Sequence, residues 1–160
     1  MKTEIVIRKA NPEDMPAVWS LINELALFER EPDAVEITIE DLVRDGFSAT
    51  PKFVCFVAVH NEVIVGMALG YPRYSTWKGA TLHLEDLIVT QKNRKQGIGL
   101  ELFKNFMAYA ASSGVKRVEW AVLDWNKSAI DFYKKQGAQI YKDWRVAQMN
   151  EKEIKRFKNI

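Results

Sequence analysis

Between Val89 and Leu100 the chain reads Arg94-Lys95-Gln96-Gly97-Ile98-Gly99, where an apolar strand-like run gives way to a long amphipathic one. These residue types suit an anionic ligand. Glycine lets backbone N–H groups approach a ligand closely and accepts left-handed dihedrals. A helix starting there presents unpaired N–H groups and the positive end of its dipole to a phosphate. Lys92, Arg94 and Lys95 add charge for a pyrophosphate. The spacing is neither the G-x-G-x-x-G of a dinucleotide fold nor the G-x-x-x-x-G-K-[ST] of a nucleotide-triphosphate loop. A solvated glycine turn is the plain alternative. Other chemistry-bearing residues are sparse. The single cysteine, Cys55, sits in the apolar run Phe53–Val59 and reads as a small core hydrophobe rather than a nucleophile. His60 and His83 stand far apart, so no metal site built by the protein is expected.

The elements around the loop alternate in the α/β manner. Thr3–Lys9 has strand character. Asn11 and Pro12 open a helix carrying Met15, Val18, Trp19, Ile22, Leu25 and Ala26 at helical spacing, and the helix fades near Glu29–Asp33. Thr38 caps a short helix, Ile39–Asp45, that Gly46 stops. Phe53–His60 and Val63–Tyr71 form an antiparallel hairpin about Asn61-Glu62. Ala80–Val89 is a strand leading into the glycine loop, and Ile98–Ser112 is the amphipathic helix after it, ended by Gly114. Val115–Leu123 is a strand. Asn126 caps Lys127–Gln136, which Gly137 closes. Gln139–Met149 has the pattern of one or two closing strands, and Glu151–Phe157 that of a frayed helix.

The 160 residues suffice for one domain, expected to span 1–160. A formal net charge of +2, with acids and bases mixed, lacks the basic stripe of a nucleic-acid binder. No apolar run approaches the roughly 20 residues of a membrane span, and Met1-Lys-Thr-Glu4 opens no signal-peptide pattern. With one cysteine, the expected setting is cytoplasmic.

Arg94-x-x-Gly97-x-Gly99 resembles the R-x-x-G-x-G signature of the GCN5-related N-acetyltransferases (GNAT). The order of elements agrees over essentially the whole length. Within that superfamily, Asn23-Glu-Leu-Ala26 with Phe28-Glu29, Asp45-Gly-Phe47, Leu84-Glu-Asp86, Trp125-Asn126 and Phe132-Tyr-Lys134 resemble the diamine (spermidine/spermine) acetyltransferases. Tyr74-Ser-Thr-Trp-Lys-Gly79 and Ala121-Val-Leu-Asp-Trp-Asn126 are closer to the thialysine-acetylating branch. The resemblance implies a single-domain GNAT fold, with helices flanking a mixed, mostly antiparallel sheet of about seven strands. It implies a homodimer. It also implies acetyl-CoA as acetyl donor, with the amides of Arg94, Lys95, Gln96, Gly97, Ile98, Gly99 and Leu100 around the pyrophosphate. Leu87, Ile88 and Val89 would face the acetyl and pantetheine parts, together with Asn126 and Tyr133. No metal enters.

Acetyl transfer to an amine needs a polarised thioester, a deprotonated amine and a protonated leaving thiolate. An amine of pKa near 10.4 is neutral at pH 7 only about once in 2,500 molecules, a handicap of roughly 4.6 kcal/mol. Glu85 is the candidate base, through water, and Tyr133 the candidate acid toward sulfur. An exposed strand carboxylate and a packed helix aromatic are their plain alternatives. Strand alternation puts Glu85 with Leu87 and Val89 on one face, and Asp86 with Leu84 and Ile88 on the other. The resemblance implies a bulge that brings both acids into play. Phe28, Glu29, Trp77, Glu85 and Asp86 carry over by position as the amine site, where anionic and aromatic walls suit an ammonium. Two departures disfavour long polyamines. The polyamine enzymes carry an Asp between the tyrosine and tryptophan that match Tyr74 and Trp77, where Ser75 stands beside Thr76, and an acid just before the late tryptophan, where Lys142 and Asp143 stand ahead of Trp144. A non-catalytic acyl-CoA-binding module would need the loop but neither Glu85 nor Tyr133. A protein N-acetyltransferase would need an open peptide groove.

Overall fold

Three antiparallel pairings and one parallel pairing order five strands as β1 (Ile5–Lys9), β2 (Val54–His60), β3 (Val63–Ser75), β4 (Gly79–Val89) and β5 (Val118–Glu119). They belong to the computed structural model of the chain, which describes residues 4–158. Thr3, where the first expected strand starts, lies outside them. The chain divides into two compact units at Ala121 and Val122. The first holds the sheet with helices α1 (Met15–Phe28), α2 (Ile39–Gly46) and α3 (Ile98–Ser112). The second holds α4 (Lys127–Lys135) and α5 (Glu151–Lys155).

Local chemistry sets most boundaries. The Asn11 side chain and Asp14 cap each other reciprocally across the 3-10 turn Pro12–Asp14 that leads into α1. Arg8, on β1, grips Asp14 through both guanidinium nitrogens, at 2.6 and 2.9 Å, and holds its carboxyl below the usual range. Thr38 and Asp41 form the same reciprocal cap on α2. The indole of Trp19 donates to the Ile37 carbonyl at 2.9 Å and fastens the link between the two helices. Asn61 and Glu62 both take positive φ, 50° and 63°, as the twist of a two-residue hairpin turn requires.

The two sheet faces carry different partners. Met15, Val18, Leu21 and Leu42 of α1 and α2 pack on Cys55, Val57, Met67, Leu69 and Ile88. On the reverse side α3 brings Leu102 beside Gly66 and Phe106 beside Gly70. Phe106 also meets Phe56 edge-on at 6.5 Å. Cys55 is buried in the first of these cores, and burial pushes its thiol up to about 12.

Two expectations need correction. β3 runs four residues past Tyr71 to Ser75, through Pro72. The ladder with β2 ends at Val54↔Gly70, so the donor that proline lacks is not needed there. The sheet has five strands among the described residues, not about seven. Only Val118–Glu119 of the run Val115–Leu123 pairs, and Gln139–Met149 forms no strand. Alternation makes a face, but a strand also needs a partner for its N–H and C=O groups, and residues 141 to 150 are all exposed. No helix among the described residues is long and apolar enough to cross a membrane.

Gly70 is the tightest point of the sheet. A Cβ there would lie 2.4 Å from both the His83 carbonyl oxygen and the Phe106 ring. Gly70→Ala is expected to destabilise the fold by about 1–3 kcal/mol through overpacking, seen as a lower urea midpoint at unchanged slope.

Candidate active site

The register between β3 and β4 shifts at one point: Leu69 lies opposite Asp86 and Gly70 opposite Leu84, so Glu85 is the extra residue of a bulge. One added residue reverses which face each later side chain takes. Before it, Leu84 shares the α3 side with Gly70. After it, Ile88 joins the α1–α2 core. Uninterrupted alternation would have kept Leu84 and Ile88 on one face and parted the two acids. Instead Glu85 and Asp86 both line one cavity of about 660 Å³.

That cavity is walled by α1, the segment leading into α2, and the β3–β4 strands, with Leu25, Leu42, Phe53 and Leu69 as apolar surface. Glu29, at the C-terminus of α1, adds a third carboxylate beside the two on β4. The Tyr71 hydroxyl donates to Glu85 Oε2 at 3.0 Å, and His83 Nε2 lies 3.4 Å from the same oxygen. The Tyr71 and His83 rings stack, with centroids 5.1 Å apart. Desolvation first, then the charges of Glu85 and Glu29, push the Asp86 carboxyl up to about 7. Desolvation and Glu85 raise Glu29 as well. Desolvation and the bond to Glu85 push the Tyr71 hydroxyl up to about 12, so it stays a donor. The acids at the far wall are already matched: Asp45 is held down to about 2 by Arg44 and Lys52, and Asp41 is bonded to Thr38 and Arg44. Lys52 is the only cation among the described residues lining the cavity.

β4 leads from this cavity into the glycine loop. β5 pairs with β4 only at Leu82 and His83. From Leu84 to Val89, the outer edge of β4 has no strand partner among the described residues. Leu87 pairs with Ala68 and Val89 with Gly66 on the inner edge, while the Ile88 side chain is core. After the 3-10 turn Gln91–Asn93, Lys95, Gln96 and Gly97 are exposed. Lys95 and Gly97 have left-handed backbone, φ 63° and 81°. Gly97 is the residue before α3, and no side chain caps that helix. A Cβ on Gly97 would meet nothing within 4 Å, so the ground before the uncapped amides of Ile98, Gly99 and Leu100 is open. An anion fits these groups. The Arg94 guanidinium is engaged behind the loop instead, donating to the Val89 carbonyl at 2.8 Å and lying over the Phe28 ring at 5.4 Å.

The structure thus joins Glu29, Glu85 and Asp86 in one cavity, whereas Phe28 does not line it and lies instead against Arg94. Trp77 stands apart, 80% exposed on the β3–β4 turn. That turn uses the Ser75 hydroxyl to accept from the amides of Trp77 and Lys78. In the second unit, the Asn126 side chain caps α4 by accepting from the Ala129 amide at 3.2 Å. Tyr133 is buried on that helix beside Phe132. Reading the sequence missed Tyr71, His83 and Lys52, because nothing in their spacing shows that they converge on the two acids. Among the described residues no cluster of three or more His, Cys, Asp or Glu side chains is arranged to hold a metal.

The chain matches the acetyltransferase (GNAT) family over residues 15–138, a span that runs through both units. It is 41% identical over 143 residues to a thialysine N-epsilon-acetyltransferase of Bos taurus, covering 84% of each chain. A spermidine/spermine N(1)-acetyltransferase-like protein 1 of Homo sapiens is 35% identical over 158 residues, which is 92% of this chain but 23% of that protein. The fold is shared with an aminoglycoside N-acetyltransferase solved in complex with CoA, at a TM-score of 0.75 and 14% identity, over 93% of this chain and 97% of that one.

The raised Asp86 carboxyl has a pH signature. Asp86 binds its proton more tightly folded than unfolded, so its contribution to stability is complete below about pH 4 and is lost as pH rises toward 7. Asp86→Asn removes that dependence. The stability of the variant relative to wild type is expected to climb between about pH 4 and about pH 7, the window between the unfolded and folded values, measured by urea unfolding at each pH. Parallel profiles would place the raised proton affinity elsewhere.

Proposed function

The chain belongs to the acetyltransferase (GNAT) family and is an N-acetyltransferase, and from that premise we propose that its acceptor is the primary amine of a short, amino-acid-like molecule of lysine size, such as thialysine. The observation that carries this reading is the acidic end of the cavity. Burial and the charge of Glu85 raise the proton affinity of Glu29, and burial with the charges of Glu85 and Glu29 raises that of Asp86; an ammonium ion relieves that repulsion directly. The opposite wall does not repeat the feature. Asp41 and Asp45 are committed to Arg44 and Lys52, which leaves Glu36 and no second cluster for the further ammonium groups of a long polyamine. Lys52, the one cation on that wall among the described residues, would have to share its charge between Asp45, 2.9 Å away, and the carboxylate of an amino-acid acceptor. The relatives named for thialysine acetylation support the same choice.

Acetyl-CoA supplies an activated acyl group as a thioester. The open amides of Gly97–Leu100 and the charge of Lys92 and Lys95 fit its pyrophosphate, and the unpaired edge of β4 at Leu87–Val89 offers backbone groups to its pantetheine arm. Glu85, exposed to the cavity and bonded by Tyr71, holds the proton that the ammonium gives up before nitrogen attacks the carbonyl carbon. The C–S bond breaks, Tyr133 is proposed on the sequence resemblance as the residue that protonates the leaving sulfur, and the acylated nitrogen releases its second proton to solvent, from which the phenol is restored. A homodimer is proposed on the same ground.

The test compares kcat/KM for thialysine, lysine, putrescine, spermidine and spermine. Thialysine is expected first, and a polyamine winning by about tenfold, or 1.4 kcal/mol, would overturn the acceptor assignment. Glu85→Gln and Tyr133→Phe are each expected to keep acetyl-CoA binding and to lower kcat by about 10² to 10⁴. A wild-type kcat in either variant, where chemistry limits the rate, would remove that residue from the mechanism.

A further inference from the structure

Asn23-Glu24-Leu25-Ala26 is among the segments that resemble the family, yet Glu24 does not line the acceptor cavity. Its carboxylate turns toward the cofactor loop. Oε2 accepts from the Thr90 hydroxyl at 2.9 Å and Oε1 from the Gln91 backbone N–H at 2.9 Å, bridging 66 and 67 residues of sequence. Arg94 Nη2 lies 3.9 Å from Oε1. Gln91 is the first residue of the 3-10 turn with which the loop begins, and Thr90, the residue before it, does not cap that turn with its own side chain. The acceptor for the turn therefore comes from α1. A carboxylate suits it, because such a terminus leaves N–H groups without partners and carries partial positive charge.

Arg94 closes the arrangement from the other side. Its Nε donates to the Val89 carbonyl at 2.8 Å, and its guanidinium lies over Phe28, one turn of α1 beyond Glu24. Three segments are thereby tied at one point: the last part of α1, the end of β4 and the start of the loop. The half-buried contact between Arg94 and Glu24 is long, at 3.9 Å, and adds little by itself. The two 2.9 Å bonds to a charged acceptor set the geometry.

We infer that Glu24 is a positioning residue for the cofactor loop, holding Thr90 and Gln91 so that the amides of Gly97–Leu100 are set before acetyl-CoA arrives. The inference rests on the reading that this loop binds acetyl-CoA. It also makes α1 a shared support, because Leu25 and Ala26 of the same helix and Glu29 at its end line the acceptor cavity. If losing Glu24 leaves the loop in its binding conformation about one-tenth of the time, apparent affinity falls about tenfold.

The test measures acetyl-CoA affinity by calorimetry and amide hydrogen exchange in the acetyl-CoA-free protein, for Glu24→Ala, Glu24→Gln, Thr90→Val and the Glu24→Ala/Thr90→Val pair. Glu24→Ala is expected to raise Kd about tenfold. Amides of residues 91–100 should exchange faster while those of the central strands keep their protection, and the amine KM should stay near wild type. Glu24→Gln should recover part of the affinity, since its amide oxygen still accepts one bond. The pair should lose less than the product of the single losses, because both changes break one network. Wild-type Kd and wild-type loop exchange in Glu24→Ala would overturn the inference. So would faster exchange spread evenly over the domain, which would mark Glu24 as a general stabiliser. Should Glu24→Ala fail to fold, unchanged Kd in both Glu24→Gln and Thr90→Val would overturn it equally. Gly97→Glu separates the two readings. If it abolishes binding while the Glu24 variants bind normally, only the inference fails; if it binds acetyl-CoA as tightly as wild type, the loop assignment itself fails.

Discussion

One extra residue in β4 governs the geometry of the site. A strand alternates its side chains with a period of two, so neighbouring acids normally face opposite ways. The bulge at Glu85 suspends that rule for a single step. It allows Glu85 and Asp86 to face one cavity, returns Ile88 to the α1–α2 core, and leaves Leu84 on the side of α3. Gly70 is part of the same solution, since the strand opposite the bulge must pass close to Phe106 with no side chain of its own. Beyond His83 the outer edge of β4 also loses its partner β5. The irregular stretch of the sheet is thus where carboxylates gather and where backbone groups are left open, and the glycine loop begins directly after it.

The carboxylate cluster is an electrostatic conflict held by the core around it. Withdrawal from water and the neighbouring charges destabilise the charged forms of Glu29 and Asp86. Asp14 and Asp45 show the opposite case: each has an arginine in contact, and each is held below the ordinary carboxylate range. The distinction separates acids whose charge an arginine meets from acids that face the cavity without one. Tyr71 serves the latter group as a donor. Its hydroxyl satisfies one oxygen of Glu85 and leaves the other free.

Much of this arrangement was legible in the residues. Asn11, Thr38 and Asn126 marked helix starts because their side chains do what capping requires. Asn61-Glu62 marked the hairpin, and Gly97 the left-handed turn before α3. The bulge was reachable only through resemblance, since nothing in Leu84-Glu85-Asp86 distinguishes a bulged strand from a regular one. Pro72 concealed the length of β3, because whether a proline interrupts a ladder depends on whether a neighbour is there to accept its missing donor. Gln139–Met149 misled in the reverse direction: Ile140, Trp144 and Val146 supply strand-forming types without a partner strand. Arg94 read as phosphate charge, yet its guanidinium is spent on Val89 and Phe28. Long-range pairings of that kind leave no local signal.

Cys55 has a consequence at the bench. Acetyl transfer from a thioester liberates one free thiol per turnover, and reagents that count thiols report on thiolates. The chain has a single cysteine, held in the core with its thiol pushed up to about 12, so at pH 8 only about one molecule in 10⁴ would carry a thiolate even if the reagent could enter. The folded protein is therefore silent in such an assay, and the colour that develops is product alone. The same silence gives a fold sensor: a protein-derived signal of one thiol per chain appears only when the β2 core has opened.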